Sequence, residues 1–200
     1  MSRAARVLLV AAIAVAASAC SREAEDNAGA NAGAATTNGA ANRVGPAAPA
    51  TEPAIAVVAE RGGLRLGEGE GRELRFGTAQ AETLARVAPL GQPPIQTNAE
   101  CGAGPIQVGQ WPNGLTLLFQ EGRFVGWTVD GAAGSRIRTR RGIGTGSTRA
   151  ELAAAHDGVR IDESTLGTEF DAEGIGGLLE SDAADAAITN LWAGTTCHFR

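Results

Sequence analysis

Three cysteines and two histidines, Cys20, Cys101, Cys197, His156 and His198, are the thiols and imidazoles available to this chain. A nucleophilic Cys needs a His to take its proton and a third group to orient that His. His198 directly follows Cys197, so on a strand the two side chains point to opposite faces, which disfavours a Cys–His dyad. Structural zinc needs four ligands at recognisable spacings, and neither a paired-Cys nor a paired-His motif occurs. The acidic residues Asp162, Glu163, Glu169, Asp171 and Glu173 lack the ligand alternation and closing bidentate Glu of a calcium loop, so a solvated acidic loop is expected there. Gly142-Ile143-Gly144-Thr145-Gly146-Ser147-Thr148 runs into an expected helix, whose N-terminus could hold an anion. It lacks the Lys of a Walker motif and the preceding architecture of a dinucleotide fold. Thr148 as N-cap with Glu151 three residues on makes a capping box instead. No catalytic, cofactor-binding or metal-binding residue is therefore expected, and the domain reads as non-enzymatic.

What remains is chemistry of contact. Arg136, Arg138 and Arg140 alternate with Ile137 and Thr139, so on a strand the three guanidinium groups line one face. Such a row protects an edge strand from aggregation; the competing use is a docking stripe for anionic headgroups or an acidic partner. Trp111 and Trp127 would be anchors if they stood on an open sheet face, and core residues otherwise. A formal charge of -5, with aromatic content of 4% and no Tyr, argues against a nucleic-acid partner, whose footprint is basic.

Three segments position these groups. Arg3 and Arg6, an apolar run from Val7 to Ala17, and Ala17-Ser18-Ala19 before Cys20 follow the grammar of a cleaved export signal over residues 1–19. The run is roughly half the ~20 residues of a spanning helix. Residues 20–54 are Ala, Gly, Asn, Thr and Pro with few large apolar side chains, too little burial to offset ordering entropy. They read as a tether with an end-to-end distance of roughly 30 Å as a random coil. The globular domain is expected over 55–200, long enough for a single core.

Within that domain two related halves are expected, about 55–130 and 131–200. Each places Gly, a hydroxyl residue and Ala-Glu in the same order, then a helix (79–87 and 148–156), then antiparallel strands. Leu115 to Phe119 and Arg123 to Val129 flank the turn Gln120-Glu121-Gly122; Ile175 to Leu179 and Ala187 to Trp192 flank an acidic turn. The expected class is α+β: two tandem helix-plus-antiparallel-sheet units joined edge to edge into one curved sheet with helices on one face.

Ala17-Ser18-Ala19-Cys20 resembles the lipobox of bacterial lipoproteins, which implies that the Cys20 thiol takes a diacylglycerol and anchors the mature chain to a membrane. Leu is usual where Ala17 stands, and the same residues satisfy the small-x-small rule of ordinary signal peptidase, so the alternative is a soluble secreted protein cut at the same bond. With Cys20 consumed by lipid, Cys101 and Cys197 remain as an even pair in an oxidising compartment. A disulfide between them would restrict the unfolded chain by roughly 4 to 5 kcal/mol; a buried thiol pair and a reactive nucleophile are the competing readings. Ser21, rather than Asp, implies by resemblance to enteric lipoproteins an outer-membrane location facing the periplasm.

Leu74-Arg75-Phe76-Gly77-Thr78 and Leu115-Thr116-Leu117-Leu118-Phe119 with Gly122 look like the opening and closing of small outer-membrane lipoproteins of the barrel-assembly type. Beta-lactamase inhibitor proteins are similar in being tandem copies of a helix-plus-sheet unit. Over the whole domain, Glu100-Cys101-Gly102-Ala103-Gly104-Pro105, Gly114 to Trp127, Gly142 to Leu152, Leu166 to Phe170 and Leu191 to Arg200 resemble an uncharacterised family of alphaproteobacterial exported proteins. Some members carry an aspartate-semialdehyde dehydrogenase label. Such an enzyme needs an N-terminal glycine loop between strand and helix and a nucleophilic Cys in its own context, and this chain has neither. The resemblances imply a non-enzymatic envelope lipoprotein that binds another protein or supports envelope assembly. The alternative is a secreted inhibitor or ligand-binding module using the concave sheet face.

Overall fold

Alternation of inward and outward side chains builds most of this domain, and it begins in a stretch that its acidic residues disguise. Strand β10 (Gly167–Ala172) buries Thr168, Phe170 and Ala172 and turns Gly167, Glu169 and Asp171 outward, the period-two pattern of a half-buried strand. It pairs with β9 (Arg160–Ser164), where Ile161 lies opposite Phe170. The segment expected as a solvated acidic loop is thus an antiparallel hairpin, its carboxylates spaced along the strands. The computed structural model describes residues 55–131 and 134–197; Cys20, the expected signal and tether, and His198 lie outside them.

Eight strands form one antiparallel sheet. Its order is β4 (Ile95–Asn98), β5 (Ile106–Gln110), β6 (Leu115–Gln120), β7 (Arg123–Asp130), β12 (Ile188–Gly194), β11 (Ile175–Leu179), β10 and β9. The strands expected at 115–119, 123–129, 175–179 and 187–192 are all here, and β7 pairs with β12 from Asn190↔Asp130 to Gly194↔Gly126. A helix precedes each run of four: α1 (Gln80–Val87) before β4, and α2 (Arg149–Ala155) before β9. Thr148 accepts from the Glu151 backbone N–H, and the Glu151 carboxylate accepts from that of Thr148 at 2.7 Å, the reciprocal capping that starts α2.

A second sheet corrects the expectation of a single one. β1 (Val57–Glu60), β2 (Gly63–Leu66), β3 (Arg72–Arg75) and β8 (Arg138–Thr139) stand in the order β3-β2-β1-β8, with β8 parallel to β1. Among the described residues two short α-helices stand against twelve strands, so the domain is mostly β rather than evenly α+β. The main core joins Leu64, Leu74, Leu117, Trp127 and Leu191 with Val87 of α1 and Leu152 of α2. The four-stranded sheet and both helices therefore bury against the same core, each fully buried Leu contributing about 1.5–3 kcal/mol.

Two adjacent glycines of β11 let aromatic rings lie flat on opposite faces of the large sheet. A Cβ on Gly177 would stand 2.4 Å from the Phe170 ring on the core side, and one on Gly176 2.3 Å from the Trp192 indole on the other. Only a strand residue without a side chain admits such close approach. On that outer side the Cys101–Cys197 disulfide, closed over a sequence separation of 96, packs with Ile106 and Leu118.

One helix residue breaks the rule that buried polar atoms are paired. Thr83 of α1 is fully buried and its hydroxyl has no hydrogen-bond partner. Thr83→Val keeps the shape and removes the orphaned group, so it is expected to raise the unfolding free energy by about 1 kcal/mol in urea titration. A fall instead would show that the hydroxyl is satisfied in solution.

Candidate functional site

Charged and polar side chains line a cleft of about 370 Å³ where the edge of the four-stranded sheet meets the end of α2 and the β10–β11 turn. The β1–β2 turn brings Glu60 and Arg61, β2 brings Arg65, and the chain leaving β8 brings Arg140 and Arg141. His156 enters from the C-cap of α2, its backbone N–H bonded to the Leu152 carbonyl at 3.0 Å. Glu173 occupies the two-residue turn Glu173-Gly174 with φ of 56° and 88°. Positive φ at both positions is the type I′ pattern of a tight hairpin, so the turn itself accounts for the left-handed Glu.

Two ion-pair groups organise the walls. Glu60, only 16% exposed, accepts from Arg65 Nε at 3.1 Å and lies 3.7 Å from Arg140 Nε. Its backbone carbonyl accepts from the indole of Trp127 at 2.9 Å, which ties the cleft wall to the core. Opposite, Glu173 lies 3.2 Å from His156 Nδ1 and 3.5 Å from Arg141. Arg141 also donates to the Ala155 carbonyl at 2.5 Å, satisfying an open carbonyl at the end of α2. On the cleft rim the hydrogen bond from Arg75 holds the Glu73 carboxyl below the usual carboxylate range.

A carboxylate that fixes one ring nitrogen orients an imidazole for proton exchange or ligand contact through the other. No Ser, Thr or Cys side chain among the described residues is hydrogen-bonded to His156, so no activated nucleophile accompanies it. Among the described residues no three His, Cys, Asp or Glu side chains are grouped to hold a metal ion. The guanidinium groups, by contrast, suit planar oxyanions.

The residues singled out as a docking stripe stand in different surroundings. Ile137 and Thr139 point inward while Arg136 and Arg140 are exposed, so the alternation is present. Only Arg138–Thr139 is strand, at the sheet edge, and Arg138 turns back to donate to the carbonyls of Ser135 and Ile137. Of the three, Arg140 alone lines the cleft. Trp111 and Trp127 are buried rather than displayed: Trp111 donates to the Gly91 carbonyl at 3.0 Å, and Trp127 is 0% exposed on the core side. The indole on the opposite face belongs to Trp192.

In the sequence His156 stands out only as one of two imidazoles and Glu173 only as one of a run of acidic residues, while Arg61 and Arg141 carry no signal. The pair Glu173-Gly174 suits a turn but says nothing of what the turn faces. No family model, curated protein or solved structure matches this chain.

Proposed function

We propose that this chain is a non-enzymatic envelope lipoprotein, cut before Cys20, held by acyl chains in the outer membrane facing the periplasm, and binding another envelope protein through its globular domain. The observation that carries the proposal is the bridge between Cys101 and Cys197, a type of bond that persists outside the reducing cytoplasm. The third cysteine is then left for acylation. The resemblance of residues 17–20 to a lipobox supports the same reading. The ion pairs and guanidinium groups of the cleft support a binding role, since they offer charged contacts to a partner.

We propose further that the domain is a tandem of two helix-plus-sheet units. Supporting this, Gly77 N–H bonds to the Phe124 carbonyl and Gln80 N–H to that of Gly122, while Gly146 N–H bonds to the Ile188 carbonyl and Arg149 N–H to that of Ala186. The same three-residue approach to a helix thus leans on the start of the last strand of each run.

Metabolic labelling with radioactive palmitate tests the anchor. The wild-type chain should carry label and sediment with membranes, and Cys20→Ala should lose both while keeping its disulfide. Unlabelled wild-type protein in the soluble periplasm would rule the anchor out. Crosslinking in native membranes should add the mass of a partner; recovery of monomer alone would count against the binding role.

A further inference from the structure

We propose that the cleft between Arg61, Arg140, Arg141 and His156 is a binding site for an oxyanion, a carboxylate or phosphate group of a small ligand. This inference does not depend on acylation of Cys20 or on the binding of a protein partner.

Its basis is an imbalance of charge in an open cleft. Four guanidinium groups line the cleft, those of Arg61, Arg65, Arg140 and Arg141, against the carboxylates of Glu60, Glu73 and Glu173. Glu60 is taken by Arg65 at 3.1 Å, with Arg140 at a looser 3.7 Å. Glu73 is taken at 2.8 Å by Arg75, and Glu173 is shared by His156 and Arg141. Arg61 has no hydrogen bond or ion pair with any described residue. The root of its side chain stands beside the turn that carries Glu173: a Cβ built on Gly174 would lie 3.8 Å from the Arg61 Cβ. Together the three outer guanidinium groups flank one opening with a single uncompensated cation and two that are only partly engaged.

The walls favour a charged ligand. Apart from the imidazole no aromatic ring lines the cleft, and its aliphatic side chains are those of Ala59, Ala172 and Ile175, so the contacts that can orient a ligand come from its charged and polar side chains. Exposed ion pairs one at a time contribute little. Several guanidinium groups converging on one planar group contribute more, because their forks match carboxylate and phosphate oxygens. Arg140 and Arg141 are already oriented by Glu60 and Glu173, which lowers the entropy lost when a ligand arrives.

The test uses the full mature chain, with the His156 imidazole signals as reporter, assigned by a His156→Gln variant. Orthophosphate and citrate are titrated separately, and vesicles containing phosphatidylglycerol form a third arm. A saturable shift of the His156 signals is expected, with Arg61→Gln weakening the apparent affinity about tenfold, the loss of one well-placed charged contact. Arg72→Gln, which removes an equal charge from an exposed residue of β3 outside the cleft, should leave it unchanged. Saturation by free phosphate or citrate identifies a soluble oxyanion. A response only to vesicles, lost in Arg61→Gln, identifies a lipid headgroup. A response that rises linearly without saturating, equal behaviour of the Arg61 and Arg72 variants, or no response in any arm would overturn the proposal.

Discussion

Replacing Cys101 and Cys197 together with Ala should lower the unfolding free energy by about 4 kcal/mol. The magnitude follows from the length of chain the bridge closes. A cross-link over 96 residues removes about 4 to 5 kcal/mol of conformational freedom from the denatured ensemble in the loop-entropy picture, and loss of a native bridge costs about 2–5 kcal/mol in practice. The folded state loses little, because Cys101 packs in a small cluster with Ile106 and Leu118 rather than in the main core. Urea unfolding of the double variant, and of wild-type protein in excess reductant, should agree on a reduced midpoint. Both should show a larger m-value, since the released denatured chain exposes more surface. A loss below about 1 kcal/mol, with m unchanged, would mean that the denatured chain stays restrained by contacts of its own.

How far this fold could be read in advance depended on whether each element announced itself locally. Both helices did: Thr148 and Glu151 cap one, and Pro89 and Gly91 close the other. So did the central hairpin, where Glu121-Gly122 lies between two apolar strands. The four-stranded sheet did not. Its strands are short, a glycine-rich stretch with Gly67, Gly69 and Gly71 separates β2 from β3, and the register Val58↔Arg138 joins residues far apart in sequence. Parallel pairing of that kind leaves no turn to find. β9 and β10 were hidden for a different reason. Their outward positions are filled by carboxylates, so the composition of the segment masks the alternation of Ile161, Phe170 and Ala172.

The cleft was still less legible, because its chemistry is assembled from elements that no spacing connects. His156 follows a helix, Glu173 sits in a hairpin turn, and Arg61 stands in a turn of the other sheet. Each alone is an ordinary solvated charge or a capping residue. Arg140 stands out in the sequence only for its place in a row with Arg136 and Arg138. The fold dissolves that row by turning Arg138 onto its own backbone. The tryptophans illustrate the same limit. Period-two reasoning places Trp127 on one face of β7 but cannot say which face another sheet will cover.

That covered face gives the second large effect. Trp127→Ala is expected to cost about 4 kcal/mol, within the range for removing a fully buried large aromatic residue. Trp127 is 0% exposed, lies opposite Leu117 and Ala193 on neighbouring strands, and belongs to the core shared by the two sheets. Its Nε1 also donates to the Glu60 carbonyl in the wall of the cleft. Trp127→Phe separates the two contributions. It retains most of the ring volume but removes the donor, so a smaller loss of about 1–2 kcal/mol is expected from the unpaired carbonyl and the residual void. Because Glu60 orients Arg65 and Arg140, the Phe variant should also shift the His156 imidazole signals, whereas Thr83→Val, in α1, should not. Urea unfolding followed by far-ultraviolet circular dichroism measures the first quantity and proton spectra the second. If Trp127→Ala cost less than about 1 kcal/mol, the two sheets would not be held together around this residue. If Trp127→Phe left the imidazole signals unmoved, the indole would be a packing residue with no hold on the cleft.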